Sequence, residues 1–156
     1  MCHQNFDFQS NQNQQFRRSK SSKFRLEEQY RAWRMNIGYI LHPNIEMHDK
    51  IRIADVGKGT AIWLRDLSEI LSQTCQLHGF DISDTTFPSR AAIPANITLY
   101  EHNLLDAVPE EFIGKDDVVN ARLMIVALSF NQWEPAVRTL ITLLRKNSKI
   151  QVNQTC

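Results

Sequence analysis

The chain has 156 residues, 42% of them hydrophobic, and a formal net charge of +1 at pH 7. This length suits one domain with a substantial core. Because the charge is almost balanced, no overall field draws the chain to nucleic acid or to an anionic membrane surface. No apolar run approaches the about 18 residues that a membrane helix needs, and no apolar segment follows the first methionine, so we expect neither a spanning helix nor a secretory signal.

Cysteine and histidine are sparse and scattered. The three cysteines, Cys2, Cys75 and Cys156, are odd in number, and two of them lie at the ends of the chain. This usage predicts reduced thiols in the cytoplasm, or alternatively the nucleus, rather than a disulfide framework. No two of the five histidines have the spacing of metal ligands on a helix, so we expect no metal site.

The N-terminal segment differs in composition from the rest of the chain. Residues 1–23 are rich in Gln, Asn and Ser, and their few phenylalanines follow no period. Such a segment buries too little apolar surface to offset the entropy of ordering it. We therefore predict a disordered tail over 1–23 and a folded domain over 24–156. The basic cluster Arg17-Arg18-Ser19-Lys20 is either a solvated part of the tail or a nuclear-import patch.

An amphipathic helix is predicted directly after this tail. Apolar residues recur every three or four positions from Leu26 to Leu41, and Gly38 and Pro43 mark the end of the pattern. The apolar stripe of this helix either packs on a sheet or, through Tyr30 or Trp33, forms a wall of a ligand pocket.

The remaining chain alternates apolar runs with amphipathic stretches, which is the pattern of a parallel α/β sheet. The runs are strands buried on both faces, and the stretches between them are helices packed on the sheet. The predicted strands are 51–56, 77–82, 97–101, 117–127 and a short 150–152, and the predicted helices are 60–73 and 134–144.

The most informative motif is a glycine-rich turn. The segment Asp55-Val56-Gly57-Lys58-Gly59-Thr60-Ala61 joins the first strand to a helix. Glycines let a ligand approach the backbone, and a helix N-terminus presents unpaired N–H groups to it. Asp81 ends the second strand, 22 positions after Gly59, close to where a doubly wound sheet places a ribose-binding carboxylate. Together these features predict a nucleoside-binding pocket.

The spacing of this turn separates two cofactor classes. The dinucleotide fingerprint G-x-G-x-x-G fails because Ile62 takes the place of its third glycine, which disfavours a nicotinamide oxidoreductase. The spacing D-x-G-x-G-[ST]-[GA] instead resembles motif I of the class I S-adenosylmethionine-dependent methyltransferases. Within that class, the strings at 52–57, 62–64, 79–83 and 117–123 resemble the fungal methyltransferase-like proteins of secondary metabolism and its regulation.

This resemblance implies a Rossmann-like α/β fold that binds S-adenosylmethionine. Asp55 would bond to the turn or to the cofactor amine, while Gly57 and Gly59 would leave room for the methionine part. Asp81 would hold the ribose hydroxyls, and Asn103 would accept a hydrogen bond from the adenine amino group. The implied cofactor-binding residues are Asp55, Gly57, Gly59, Asp81, Ile82, Asn103 and Arg122.

Two of the positions near this pocket have open alternatives. Arg122 lies either where cofactor and acceptor meet or on the surface, paired with Asp116 or Asp117. Lys58 stands where similar proteins have a small or hydroxylated residue. Its amine either reaches the cofactor carboxylate or places a positive charge near the sulfonium.

The expected function is methyl transfer to a small-molecule acceptor in a fungal secondary-metabolite pathway. This reaction mainly needs in-line placement of the nucleophile, so it requires no nucleophilic or metal motif in the protein. No general base follows from the residues, and His102 and Glu101 are candidates by position alone.

The C-terminal segment suggests an alternative function. Similar proteins continue past the last helix with a glycine-glycine turn and further strands, whereas this chain has Lys146-Asn147-Ser148-Lys149 at the turn. A truncated member would leave an open sheet edge that forms homo- or hetero-oligomers, and its methyl transfer would be weak or absent. The alternative is therefore a catalytically inactive cofactor-binding or regulatory module.

Overall fold

A computed structural model describes residues 4–122, 124 and 127–153, with side chains from residue 21 onward except that of residue 153. The predicted alternation of strands and helices is confirmed. Short 3₁₀ turns lie in the connections, one of them at Glu110–Phe112. The helices and strands in chain order are α1 (Gln4–Ile37), β1 (Arg52–Val56), α2 (Ile62–Ile70), β2 (Gln76–Asp81), β3 (Ile97–Glu101), β4 (Asp116–Arg122), α3 (Trp133–Leu143) and β5 (Leu144–Asn153).

The five strands form one parallel sheet in the order β3-β2-β1-β4-β5. The central strand β1 has β2 on one side and β4 on the other, so the chain reverses its direction of winding between β3 and β4. Asp55 of β1 is therefore level with Gly79 of β2 and with Asn120 of β4. In open parallel sheets, ligands bind at the carboxyl ends of the strands where the winding reverses.

The core lies on both faces of this sheet because successive strand residues point in opposite directions. On one face, α1 and α2 cover the sheet, and Trp63 of α2 is completely buried there with Ile53. On the other face, α3 and the loop around Phe112 cover Phe80 and Val119. A hydrogen bond of 2.6 Å from the Tyr30 hydroxyl to Asp66 links α1 to α2.

Two strands differ from the prediction by several residues. Strand β4 ends at Arg122 rather than at residue 127, and residues 123, 125 and 126 of the predicted run lie outside the described residues. Strand β5 follows α3 directly and has ten residues, far more than the predicted 150–152. Leu144 and residues 149–153 pair with β4, and residues 145–148 lie between them at a shift of the register, so pairing on both sides of this shift extends the strand beyond 150–152.

The N-terminal segment also differs from the prediction. Helix α1 begins at Gln4, so the backbone of residues 4–23 is helical where we predicted a disordered tail. The sequence allows this because residues 1–37 contain neither glycine nor proline and are rich in straight-chain side chains that favour helices. The side chains of residues 4–20 lie outside the description, so the division of the chain at residue 23 stays a prediction.

Within the described residues, no helix is both long and apolar enough to cross a membrane. The same part of the chain contains no group of three or more His, Cys, Asp or Glu side chains that could hold a metal ion.

Candidate functional site

A cavity of about 560 Å³ opens at the carboxyl edge of the sheet. Its walls come from α1, from the turn between β1 and α2, and from the segments that follow β2, β3 and β4. This volume is within the roughly 300–1,000 Å³ of typical small-molecule sites. The cavity brings together six of the seven predicted residues, namely Gly57, Gly59, Asp81, Ile82, Asn103 and Arg122.

The glycine turn adopts a backbone that requires glycine. Gly57 and Gly59 have φ angles of 69° and 56°, in the left-handed region that other residues rarely occupy. A Cβ atom on Gly57 would also lie 3.2 Å from the Met124 Sδ atom. The amides of Gly57 and Lys58 both donate to the Phe80 carbonyl, at 2.9 and 3.2 Å, and so attach the turn to β2.

Asp81 contacts this turn directly. Its carboxylate oxygen Oδ2 accepts a hydrogen bond of 2.8 Å from the Gly59 amide. A carboxylate has about four acceptor sites, so Asp81 retains acceptor capacity on the cavity wall. The predicted proximity of the glycine turn and the acid at the end of β2 is thus present in the structure.

Lys58 is almost completely buried, with 2% of its surface exposed. Its Nζ atom donates to the Gly59 carbonyl at 2.9 Å and lies 3.3 Å from the centroid of the Phe87 ring. The Thr86 hydroxyl donates to the same carbonyl, also at 2.9 Å. The ammonium is therefore held by the turn and by the loop after β2. Lys58 also lines the cavity, so both expected roles of its amine stay predictions.

Burial also changes the acidity of Lys58. Desolvation lowers its pKa to about 8, and the carboxylates of Asp81, Asp55 and Asp84 oppose this change. The side-chain stem lies against Gly79 of β2, where a Cβ atom would be 2.6 Å from the Lys58 Cδ atom. Gly79 therefore provides the space in which the lysine is buried.

Asp55 does not line the cavity, in contrast to its predicted role. It is fully buried beneath the turn, where it accepts hydrogen bonds from Asn120 Nδ2 at 2.7 Å and from Arg122 Nη2 at 3.4 Å. Burial raises the pKa of Asp55, and both partners oppose that rise. Asn120 is oriented in turn by Gln151 of β5, whose Nε2 donates to its Oδ1 at 3.0 Å. Asp55 therefore binds the Arg122 guanidinium from the buried side of the cavity wall.

Arg122 lines the cavity and does not pair with either predicted surface partner. Asp116 is engaged by His78 at 3.0 Å, and Asp117 by Arg145 at 2.8 Å. Sequence reasoning missed Asp55 as the partner because the two residues are 67 positions apart and meet only through the pairing of β1 with β4.

Three aromatic rings surround the Arg122 guanidinium. Its Cζ atom lies 5.3 Å from the Trp33 ring, 5.4 Å from the Tyr30 ring and 5.5 Å from the Trp63 ring. Cations within about 6 Å of such rings are attracted by their negative faces. We call these three residues the aromatic box.

The segment after β3 contributes His102 and Asn103. The Asn103 Oδ1 atom accepts a hydrogen bond of 3.1 Å from the Leu105 amide, so its predicted acceptor group already orders its own loop. His102 lines the cavity, and its buried Nε2 atom has no partner among the described residues. Glu101 is exposed and is not among the lining residues.

Helix α1 contributes lining residues that sequence reasoning only partly anticipated. Tyr30 and Trp33 both line the cavity and are also buried in the core. Helix α1 therefore packs on the sheet and also forms a wall of the cavity. Arg25 and Gln29 line it as well and were missed. Arg25, Gln29 and Trp33 are spaced four residues apart, which places them on one side of a helix. This spacing is the sequence feature from which Arg25 and Gln29 could have been predicted.

The architecture defines the fold class. The order β3-β2-β1-β4-β5 with flanking helices is the Rossmann-like fold of the class I S-adenosylmethionine-dependent methyltransferases. A solved neighbour is PKMT2 from Rickettsia typhi in complex with S-adenosylhomocysteine, with a TM-score of 0.58 and 23% sequence identity. The match covers 69% of this chain and 21% of that protein. The predicted fold class is confirmed.

Sequence comparison identifies fungal relatives. The chain is 40% identical over 119 residues to the methyltransferase grgD of a Penicillium species, and the match covers 72% of this chain and 41% of that protein. It is 33% identical over 112 residues to the N-methyltransferase tcpN of Claviceps purpurea, and this match covers 71% of this chain and 40% of that protein. The chain thus spans about two fifths of the length of these relatives. No protein-family model matches it. The predicted resemblance to fungal methyltransferases is confirmed.

Proposed function

We propose that this protein is an S-adenosylmethionine-dependent methyltransferase that acts on a small molecule in fungal secondary metabolism. The observation that carries the proposal is the contact between Asp81 and the Gly59 amide at the wall of the cavity. It combines a turn that tolerates close approach of a ligand with a carboxylate that accepts hydrogen bonds from ribose hydroxyls. The similarity to fungal methyltransferases supports the same cofactor class.

The cavity wall fits a polar ligand of this kind. Four lining residues have buried polar atoms without a partner among the described residues: Trp33 Nε1, Thr60 Oγ1, His102 Nε2 and Arg122 Nε. An unsatisfied buried polar group costs about 1–3 kcal/mol, so a ligand that supplies partners after small side-chain rotations gains free energy. Apolar side chains such as Leu104 and Met124 complete the wall and suit a purine ring.

When bound, S-adenosylmethionine supplies a methyl group on a sulfonium, which is a good leaving group. The protein therefore mainly has to orient the reactants. Asp81 holds the ribose hydroxyls, and Gly57 and Gly59 allow the chain of the ligand to pass close to the turn. Of the two acid–base candidates, His102 lines the cavity and Glu101 does not, so His102 is the one placed to take a proton from an acceptor there.

Calorimetric titration with S-adenosylhomocysteine tests the binding step. We expect a single site per chain, while NADH should not compete. Transfer from radiolabelled cofactor to a panel of amine metabolites then tests the reaction, since one fungal relative is an N-methyltransferase. Tight NADH binding in place of S-adenosylhomocysteine would contradict the proposal. Cofactor binding without transfer to any acceptor would instead favour the inactive module.

A further inference from the structure

Arg122 is a cation on the cavity wall whose hydrogen-bonding capacity is largely unused by the described residues. Its side chain is 12% exposed, and a guanidinium carries five N–H donors and no acceptor. Among the described residues it makes one hydrogen bond, from Nη2 to Asp55, and its Nε atom has no acceptor. Trp33 on the same wall has a second unpartnered donor, Nε1. Both atoms are buried, so a ligand reaches these donors after small side-chain rotations.

The guanidinium is also fixed in place before any ligand arrives. Asp55 holds it from the buried side, and the aromatic box restricts it through contacts of 5.3–5.5 Å. An anchor ordered in advance loses little conformational entropy on binding. The guanidinium fork also matches the two oxygens of a carboxylate better than a lysine ammonium does.

The other charged groups on the wall are engaged or exposed. The Lys58 ammonium bonds to the Gly59 carbonyl, and the Asp81 carboxylate accepts from the Gly59 amide. Arg25 is exposed on α1. Arg122 is thus a largely buried cation of this wall whose donors the described residues leave available.

The position of Arg122 relative to Asp81 sets the length of the ligand. Asp81 ends β2 and Arg122 ends β4, with β1 between them. Neighbouring strands are about 4.8 Å apart, so the two strand ends are separated by about 10 Å. An adenosine with an amino-acid side arm can span this distance with its ribose at Asp81 and its carboxylate beside Arg122.

We propose that Arg122, held by Asp55 and the aromatic box, binds the carboxylate of the amino-acid part of the cofactor. This inference rests on the proposed function, which places the nucleoside part at Asp81. It assigns the carboxylate to Arg122 instead of Lys58, whose ammonium is occupied within the turn.

The test compares S-adenosylhomocysteine with decarboxylated S-adenosylhomocysteine, which lacks only the carboxylate. Calorimetry on the wild type should show a preference of about 10- to 100-fold for the carboxylated ligand, as expected for a charged hydrogen-bonding partner. Arg122→Gln should remove this preference and leave the affinity for the decarboxylated ligand nearly unchanged. The matched control Arg65→Gln changes an exposed arginine of α2 that does not line the cavity, and it should keep the preference of the wild type.

Three outcomes would overturn the inference. They are equal binding of both ligands by the wild type, loss of the preference in Arg65→Gln, and equal weakening of both ligands by Arg122→Gln, which would indicate a merely structural role. If Arg122→Gln does not fold because Asp55 is left unpaired, the double variant Asp55→Asn/Arg122→Gln removes both charges and gives the same comparison. If the wild type binds neither ligand, the proposed function fails and the inference with it.

Discussion

The Asp81 carboxylate accepts a hydrogen bond of 2.8 Å from the amide of Gly59, although the two residues lie 22 positions apart in the chain. The contact joins the end of β2 to the turn after β1. It orients the carboxylate at the cavity wall and also holds the backbone that a ligand would approach. The same acid therefore has a structural role in the free protein and a binding role in the proposed complex.

Replacing Asp81 with alanine should weaken binding of S-adenosylhomocysteine by about 1–3 kcal/mol, because a buried hydrogen-bond partner is lost. Calorimetric titration measures this change. Asp49→Ala serves as the control, since Asp49 is exposed and precedes β1 at the opposite edge of the sheet. Unchanged affinity in Asp81→Ala would show that this carboxylate does not hold the ribose.

Replacing Gly79 with alanine should destabilise the protein by about 1–3 kcal/mol through overpacking. The new Cβ atom would lie 2.6 Å from Lys58, 2.7 Å from Leu99 and 2.9 Å from Leu64. Urea unfolding measures the loss. In the control Gly38→Ala, the Cβ atom would meet nothing within 4 Å, so only the cost of its positive φ should appear. Equal losses in the two variants would contradict this account of Gly79.

The stability of the protein should depend on pH through Lys58. Burial lowers the pKa of its ammonium to about 8 from the ordinary 10.5. Between these values the unfolded chain keeps a proton that the folded protein has released, so the free energy of unfolding should rise with pH. Urea unfolding across this window measures the slope.

Lys58→Met should reduce this slope, because methionine fills similar space and does not titrate. Lys50→Met is the matched control, since Lys50 is exposed and does not line the cavity. A slope that Lys58→Met leaves intact would place the titration elsewhere.

Removing residues 1–23 should leave the melting temperature nearly unchanged. Tyr30 is the first residue of α1 that is fully buried among those whose side chains are described, so the main packing of the helix lies beyond the deletion. Thermal unfolding of the shortened and complete chains tests this. A large loss of stability would show that Phe6, Phe8 or Phe16 packs on the domain.

Sequence patterns predicted the sheet and the turn because both depend on local physics. Apolar runs in the strands and three-to-four-residue periods in the helices determine which faces are buried. The φ angles of Gly57 and Gly59 explain why glycine occurs there. The boundaries were less predictable. Strand β5 is an example, because Leu144 and residues 149–153 pair with β4 while residues 145–148 lie at a register shift between them.

The sequence by itself determined the parallel α/β architecture, the glycine turn and the acid that follows the second strand, since each of these is encoded within a short segment. Only the tertiary structure decided that Asp55 lies beneath Arg122, and that the Lys58 ammonium bonds to the Gly59 carbonyl. The physical reason is distance along the chain. Asp55 meets Asn120 and Arg122 across 65 and 67 positions, and no local pattern specifies which side chains meet when β1 pairs with β4.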